Sequence, residues 1–335
     1  MNRENPTITI MKPELATPEQ AAPKAFWHEL LACPGCRTPL PDWSRCASCG
    51  RTFEAEDGAP RLMAPDLERV FEYRFVASRS SPGKPFLDRV LRDPPTDHGL
   101  GALPYHFDPA QAVVLSRLPR GSRVLEVGCG GGQARTAIEG LGHEYVGTDL
   151  SRTRVHDWLQ KHGGADILCD SHFLPFQDER FDAVYSAAVT EHLACPALAL
   201  REIFRVLKPG GYYLGNCSFL EPWHDQSFFH VSPLGAGELL TQAGFEIEAI
   251  WPGRRYDTFK AVAVMMFRGP FRALVPLARL QHLAYCAQNR LLALARRATK
   301  RSPVRPIIEA ATVAGATDWI ARRPAAANLN RGAIE

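Results

Sequence analysis

From Ser122 onward, short apolar and β-branched runs alternate with longer amphipathic stretches, the pattern of a parallel sheet whose strands are joined by crossover helices. The runs predict strands over 123–127, 145–148, 166–168, 181–186, 212–216, 245–251 and 259–267. Helices are expected over 133–140, 152–162, 197–207 and 234–243, each closing near a glycine or at Lys208-Pro209-Gly210. The fold class is therefore α/β. Residues 1–24 are rich in Pro, Thr, Glu and Ala without periodicity and read as a flexible leader. A compact module is expected over 25–65, a connecting or lid region over 66–120, the main domain over 121–268, and a basic helical extension with a loosely ordered tail over 269–335. No internal repeat is visible.

Composition narrows this picture only in places. At 335 residues, 45% hydrophobic and 22% charged, the chain can bury a full core, and disorder of the whole is excluded. A net charge of +3 points to no particular partner. Its distribution does, because 258–308 holds ten Lys or Arg and no acid, and from Phe271 to Arg301 leucines and alanines alternate with arginines in helical fashion. Such a helix can lie on an anionic membrane, grip nucleic acid, or pack on the domain with its arginines outward. The start, Met1-Asn2-Arg3-Glu4-Asn5-Pro6, lacks the apolar core of a secretory signal, and the longest apolar run, 261–267, is too short to span a bilayer. Export is not indicated, and a cytoplasmic location is expected, with peripheral membrane contact through the basic segment.

The chemistry centres on Val124-Leu125-Glu126-Val127-Gly128-Cys129-Gly130-Gly131-Gly132-Gln133, an apolar strand ending in a glycine-rich turn. Gly128, Gly130 and Gly132 let a ligand lie against bare backbone. Dinucleotide-binding enzymes use a similar turn, so the turn alone is weak. Glu126 would repel a pyrophosphate but suits a cationic sulfonium and ammonium, and Gln133 stands where the dinucleotide pattern wants a small residue. Asp149, with Leu150 beside it, ends the second strand about twenty residues on, where a carboxylate can take both ribose hydroxyls. Helix capping is its plain alternative role.

With Asp170-Ser171-His172-Phe173-Leu174-Pro175-Phe176, Phe181-Asp182-Ala183-Val184, Glu191-His192-Leu193 and Arg205-Val206-Leu207-Lys208-Pro209-Gly210-Gly211 following in order, the chain resembles the class I S-adenosylmethionine-dependent methyltransferases related to the ubiquinone and menaquinone methylases. The similarity covers about residues 122–251. It implies a Rossmann-like seven-stranded sheet, S-adenosyl-L-methionine as methyl donor, and donor contacts from Glu126, the glycines, Asp149, Leu150, Asp170, Ser171 and Ser186. Asp170 would stand near the adenine amino group. His192 follows the fourth strand where the methyl would emerge, and with His230 it is the candidate for accepting a proton from the acceptor. Loop packing is the competing role for both. The loop from Glu221 to His230 is a candidate acceptor cover, and His106, between Tyr105 and Phe107, could close the other side.

Cys33-Pro34-Gly35-Cys36 and Cys46-Ala47-Ser48-Cys49 form two close pairs, and two-residue spacing lets each clasp one tetrahedral metal. Four thiolates select structural Zn2+, with no position open for catalysis. The flanking residues through Met63 resemble the end of the zinc ribbons that accompany methyltransferases. Certain ribosomal RNA methyltransferases share this order, which keeps RNA as the rival to a small-molecule, lipid-linked or saccharide acceptor. A noncatalytic donor-binding protein and an NAD enzyme are the alternatives from other classes.

Overall fold

In the computed structural model, residues 25–70, 72, 86, 88, 90–95, 103, 107–153, 162–253, 257–302 and 304–325 are described. Expectations for the leader, for most of the 152–162 helix, and for Tyr105 and His106 fall outside them. The strands are β1 (Glu54–Glu56), β2 (Ala59–Arg61), β3 (Arg123–Val127), β4 (Glu144–Asp149), β5 (Ile167–Leu168), β6 (Phe181–Ala187), β7 (Leu207–Ser218), β8 (Glu246–Pro252) and β9 (Ala316–Arg322). They make one sheet in the order β1-β2-β5-β4-β3-β6-β7-β9-β8. From β5 to β7 every pairing is parallel, whereas β9 runs antiparallel between β7 and β8. The helices are α1 (Pro109–Ser116), α2 (Arg135–Gly140), α3 (Pro196–Val206), α4 (Pro233–Ala243), α5 (Thr258–Met266), α6 (Leu277–Ala298) and α7 (Pro306–Ala311).

Local chemistry sets these boundaries. Helix α3 opens with Pro196 and buries Ala199, Leu200, Ile203 and Val206, one face at helical spacing. Ahead of α4, the Ser232 side chain accepts from the Gly235 amide, and Gly244 ends the helix in the left-handed conformation. Both helices pack on the sheet, and their strands feed carboxyl ends to a common edge, where open α/β sheets hold ligands.

Two expectations are corrected here. The run 259–267 is not the seventh strand but helix α5, because the Asp257 side chain caps it by accepting from the Lys260 amide. A short apolar run cannot be assigned to strand or helix by periodicity alone. The seventh main strand is instead β9, from the tail expected to be loosely ordered; Trp319, Ile320 and Ala321 are each buried to 2% exposure or less. The insertion between β8 and β9 is closed at its neck, where Gly253 donates to the Ala316 carbonyl (2.8 Å) and Thr258 to that of Val313 (2.9 Å).

The cysteine module is built into the sheet. The β1–β2 hairpin turns at Asp57-Gly58, both left-handed, and Leu62 donates to the Leu168 carbonyl at 2.8 Å, lengthening the sheet beyond β5. Trp27, Leu30, Leu31, Cys33, Leu40 and Phe53 join the same hydrophobic core as the main domain.

Candidate active site

Strand β3 delivers the glycine-rich turn at its carboxyl end. Gly128, Gly130 and Gly132 have φ of +69°, +54° and +84°, values that L side chains rarely adopt. A Cβ on Gly128 would fall 2.3 Å from Val189 Cγ2, and one on Gly132 would fall 2.8 Å from the His162 carbonyl oxygen. The turn is thereby pressed against the loop that follows β6.

Strand β4 ends at Asp149, whose carboxylate accepts from the Gly130 amide (2.8 Å) and the Leu150 amide (2.7 Å). Burial raises its pKa against those backbone bonds. An ionised carboxylate has about four acceptor sites, so it can brace the turn and still take hydroxyl groups. Leu150 next to it is 53% exposed, an uncovered apolar surface on the same rim.

Glu126 lies buried near the end of β3. It is 5% exposed, accepts from the Tyr145 hydroxyl, and burial pushes its pKa up to about 8. The Arg135 guanidinium, paired with Asp166 at 3.0 Å, lies over the Tyr145 ring and is the neighbouring positive charge. Asp170 caps a 3-10 turn, accepting from the His172 amide (2.8 Å) and ring Nδ1 (2.6 Å). Burial would raise its pKa, but the His172 bonds outweigh that and lower it. Ser171 stands in that turn, half-buried. Ser186, expected among the donor contacts, is buried, at 1% exposure.

Between the turn after β6 and the loop after β7 the structure gathers Glu191, His192, His224 and His230. The His192 and His224 rings meet edge to face at 5.7 Å, and His224 and His230 are also 5.7 Å apart. The two histidines proposed from sequence are thus linked through His224, with His230 bonded to Ser227 at 3.1 Å. Phe107 is fully buried against Tyr185, a packing residue.

In the cysteine module, Cys33 and Cys49 sulfurs are 3.7 Å apart and those of Cys36 and Cys46 3.5 Å apart. Sulfurs about 2.3 Å from one tetrahedral zinc lie about 3.8 Å from each other, so the four fit one ion. Sequence reading missed the clamp holding this module. Glu202, 3% exposed on α3, meets Arg37 (2.6 Å), Arg69 (2.6 Å) and Arg205 (2.8 Å). The Arg37 that reaches it lies between Cys36 and Thr38, in a left-handed turn (φ 60°).

Residues 125–215, from the glycine-bearing strand through β7, match the methyltransferase domain family. Over that segment the chain is similar to methyltransferases. Outside that segment the domain is joined to the cysteine module and the α5–α7 insertion. A Mycolicibacterium smegmatis protein named "Probable S-adenosylmethionine-dependent methyltransferase" is 35% identical over 41% of this chain and 58% of its own. A fatty-acid O-methyltransferase of the same organism is 37% identical over 33% of this chain and 40% of its own. The tRNA (carboxymethyluridine(34)-5-O)-methyltransferase of Arabidopsis thaliana is 30% identical over 42% and 39%. The chain spans less than two thirds of each relative's length.

Proposed function

We propose that the chain transfers a methyl group from S-adenosyl-L-methionine to a small-molecule, lipid-linked or saccharide acceptor. The observation that carries this reading is the left-handed glycine turn braced by Asp149 at the carboxyl end of β3, inside the segment that matches the methyltransferase family. The donor supplies an already activated methyl, so holding and desolvating the reactants accounts for most of the rate. Asp149 takes the ribose hydroxyls, Leu150 lies against the adenine, and Asp170 with Ser171 reads its edge. Gly128, Gly130 and Gly132 admit the methionyl part, and Glu126 beneath them, neutral while the cleft is empty, ionises when a cation arrives above it. His192 and His230 face the acceptor. Zn2+ held by Cys33, Cys36, Cys46 and Cys49 is structural and fixes the hairpin beside β5.

A lipid-linked acceptor draws support from α6. This 22-residue helix buries only Ala278. Leu280, Leu283, Leu291 and Leu294 are 61%, 56%, 68% and 59% exposed, and they recur at helical spacing on a side away from the body. Arg279, Arg290 and Arg297 border that stripe, the arrangement of a helix lying in an anionic membrane surface. No described helix is long and apolar enough to cross one.

Purified protein incubated with methyl-labelled donor and fractionated extract tests the reading. Label should enter a lipid or small-molecule fraction and persist after RNase treatment. Label confined to RNA would replace the acceptor class, and none in any fraction would remove the enzymatic reading.

A further inference from the structure

Two residues past Val189, which presses on Gly128, the chain places Glu191 and His192, and the loop after β7 brings His224 to them. One ligand atom from each lies within 4.8 Å of the others. Glu191 is fully buried (0% exposed). Its Oε1 accepts from the Ser218 hydroxyl (2.8 Å) and amide (3.2 Å), while its Oε2 has no partner among the described residues. Leaving a buried carboxylate oxygen unsatisfied costs on the order of 1–3 kcal/mol or more, so an unpartnered oxygen on a carboxylate clustered with two imidazoles asks for a cation. The amides of Phe228 and Phe229 hold the Glu191 carbonyl at 2.7 and 3.1 Å, tying the His224 loop to this residue. The Pro222 carbonyl engages His224 Nδ1 at 2.9 Å, the outer bond that orients metal-binding imidazoles and leaves Nε2 to the ion.

We propose that Glu191, His192 and His224 form a divalent transition-metal site at the acceptor end of the cleft. Two imidazoles and one carboxylate suit Zn2+, Mn2+ or Fe2+ and leave coordination positions open to a substrate oxygen. Ligand atoms about 2.1 Å from one ion stand about 3–3.5 Å apart, so the half-buried imidazoles draw in while Ser218 holds the carboxylate. Resting on the methyl-transfer reading, the site selects a hydroxyl-bearing acceptor. The bound hydroxyl releases its proton to solvent water, and its oxygen then attacks the donor methyl. The new O–C bond forms as the C–S bond breaks, and the sulfur keeps the electron pair. His192 and His224 then act as ligands, and the ion takes over the acidifying task that a general base would otherwise perform.

Co2+ titrated into the purified full-length protein and followed by absorbance tests this. Thiolate coordination gives intense charge-transfer absorption, whereas nitrogen and oxygen ligands give only weak d–d bands. The expected result is one thiolate-free equivalent per chain that the His192→Ala/His224→Ala double variant loses, while any thiolate signal is kept. Calorimetry with S-adenosylhomocysteine on the same two proteins should show equal affinity, which shows the variant is folded; failure of the wild type to bind it would sink the donor reading alone. Cobalt bound only with the thiolate signature, or a thiolate-free equivalent that survives in the double variant, overturns the metal site.

Discussion

Gly128 illustrates how one residue serves both fold and ligand. Its φ of +69° and the 2.3 Å at which an added Cβ would meet Val189 Cγ2 leave no room for a methyl group, so Gly128→Ala should lower the melting temperature and abolish the thermal stabilisation that S-adenosylhomocysteine confers on the native chain. Glu126 gives a sharper readout. Burial lifts its pKa from 4.5 to about 8, so the folded chain holds this proton more tightly than the unfolded one. The stabilisation is complete below 4.5 and is lost as pH rises through about 8. Urea midpoints of the wild type should therefore fall relative to Glu126→Gln between about pH 5 and about pH 9, and parallel curves would contradict this. The glycines, Asp149 and the cysteines were legible because their chemistry demands fixed spacing. The burial of Glu126 and Ser186 was not, since a strand's alternation shows which side a residue faces and not how deep that side lies.

Among the elements, the cysteine hairpin and α3 form one mechanical unit through Glu202. Removing a partner from a buried ion cluster leaves charges unpaired and typically costs about 3–5 kcal/mol. Glu202→Ala should lose stability on that scale and hasten metal release to a chelator, measured by denaturation and by a zinc-responsive dye; unchanged release would mean that Arg37 and Arg69 do not hold the module in place. This clamp was hidden because its four members come from three separate segments. The β3, β4, β6 and β8 boundaries followed from local apolar runs, and so did the centre of β7, although that strand begins at Leu207 and takes in the Lys208-Pro209-Gly210-Gly211 segment expected as a turn; β9 escaped because the α5–α7 insertion separates it from its hairpin partner β8. Its Ala316–Arg322 stretch, buried from Thr317 to Ala321 without alternation, reads as a strand only once a place between β7 and β8 is known to be open.

Across the whole molecule, the glycine turn, the histidine cluster and the basic insertion hang from one sheet, and the insertion joins it at a pinned neck and through Ile307 of α7, which is buried in the main core. Replacing Leu280, Leu291 and Leu294 with Ser removes exposed side chains, so stability should change by about 0.5 kcal/mol or less each. Binding to phosphatidylcholine–phosphatidylglycerol vesicles should drop at least about tenfold by flotation, and undiminished flotation would end the membrane role of α6. The proposed methyl transfer depends on what the glycine turn and Asp149 hold. Calorimetric titration of the purified chain with S-adenosylhomocysteine should give one bound molecule per chain and a loss of about tenfold or more in Asp149→Ala, as removal of a charged hydrogen-bond acceptor predicts. No measurable binding by the wild type, or binding of NAD in its place, would contradict it.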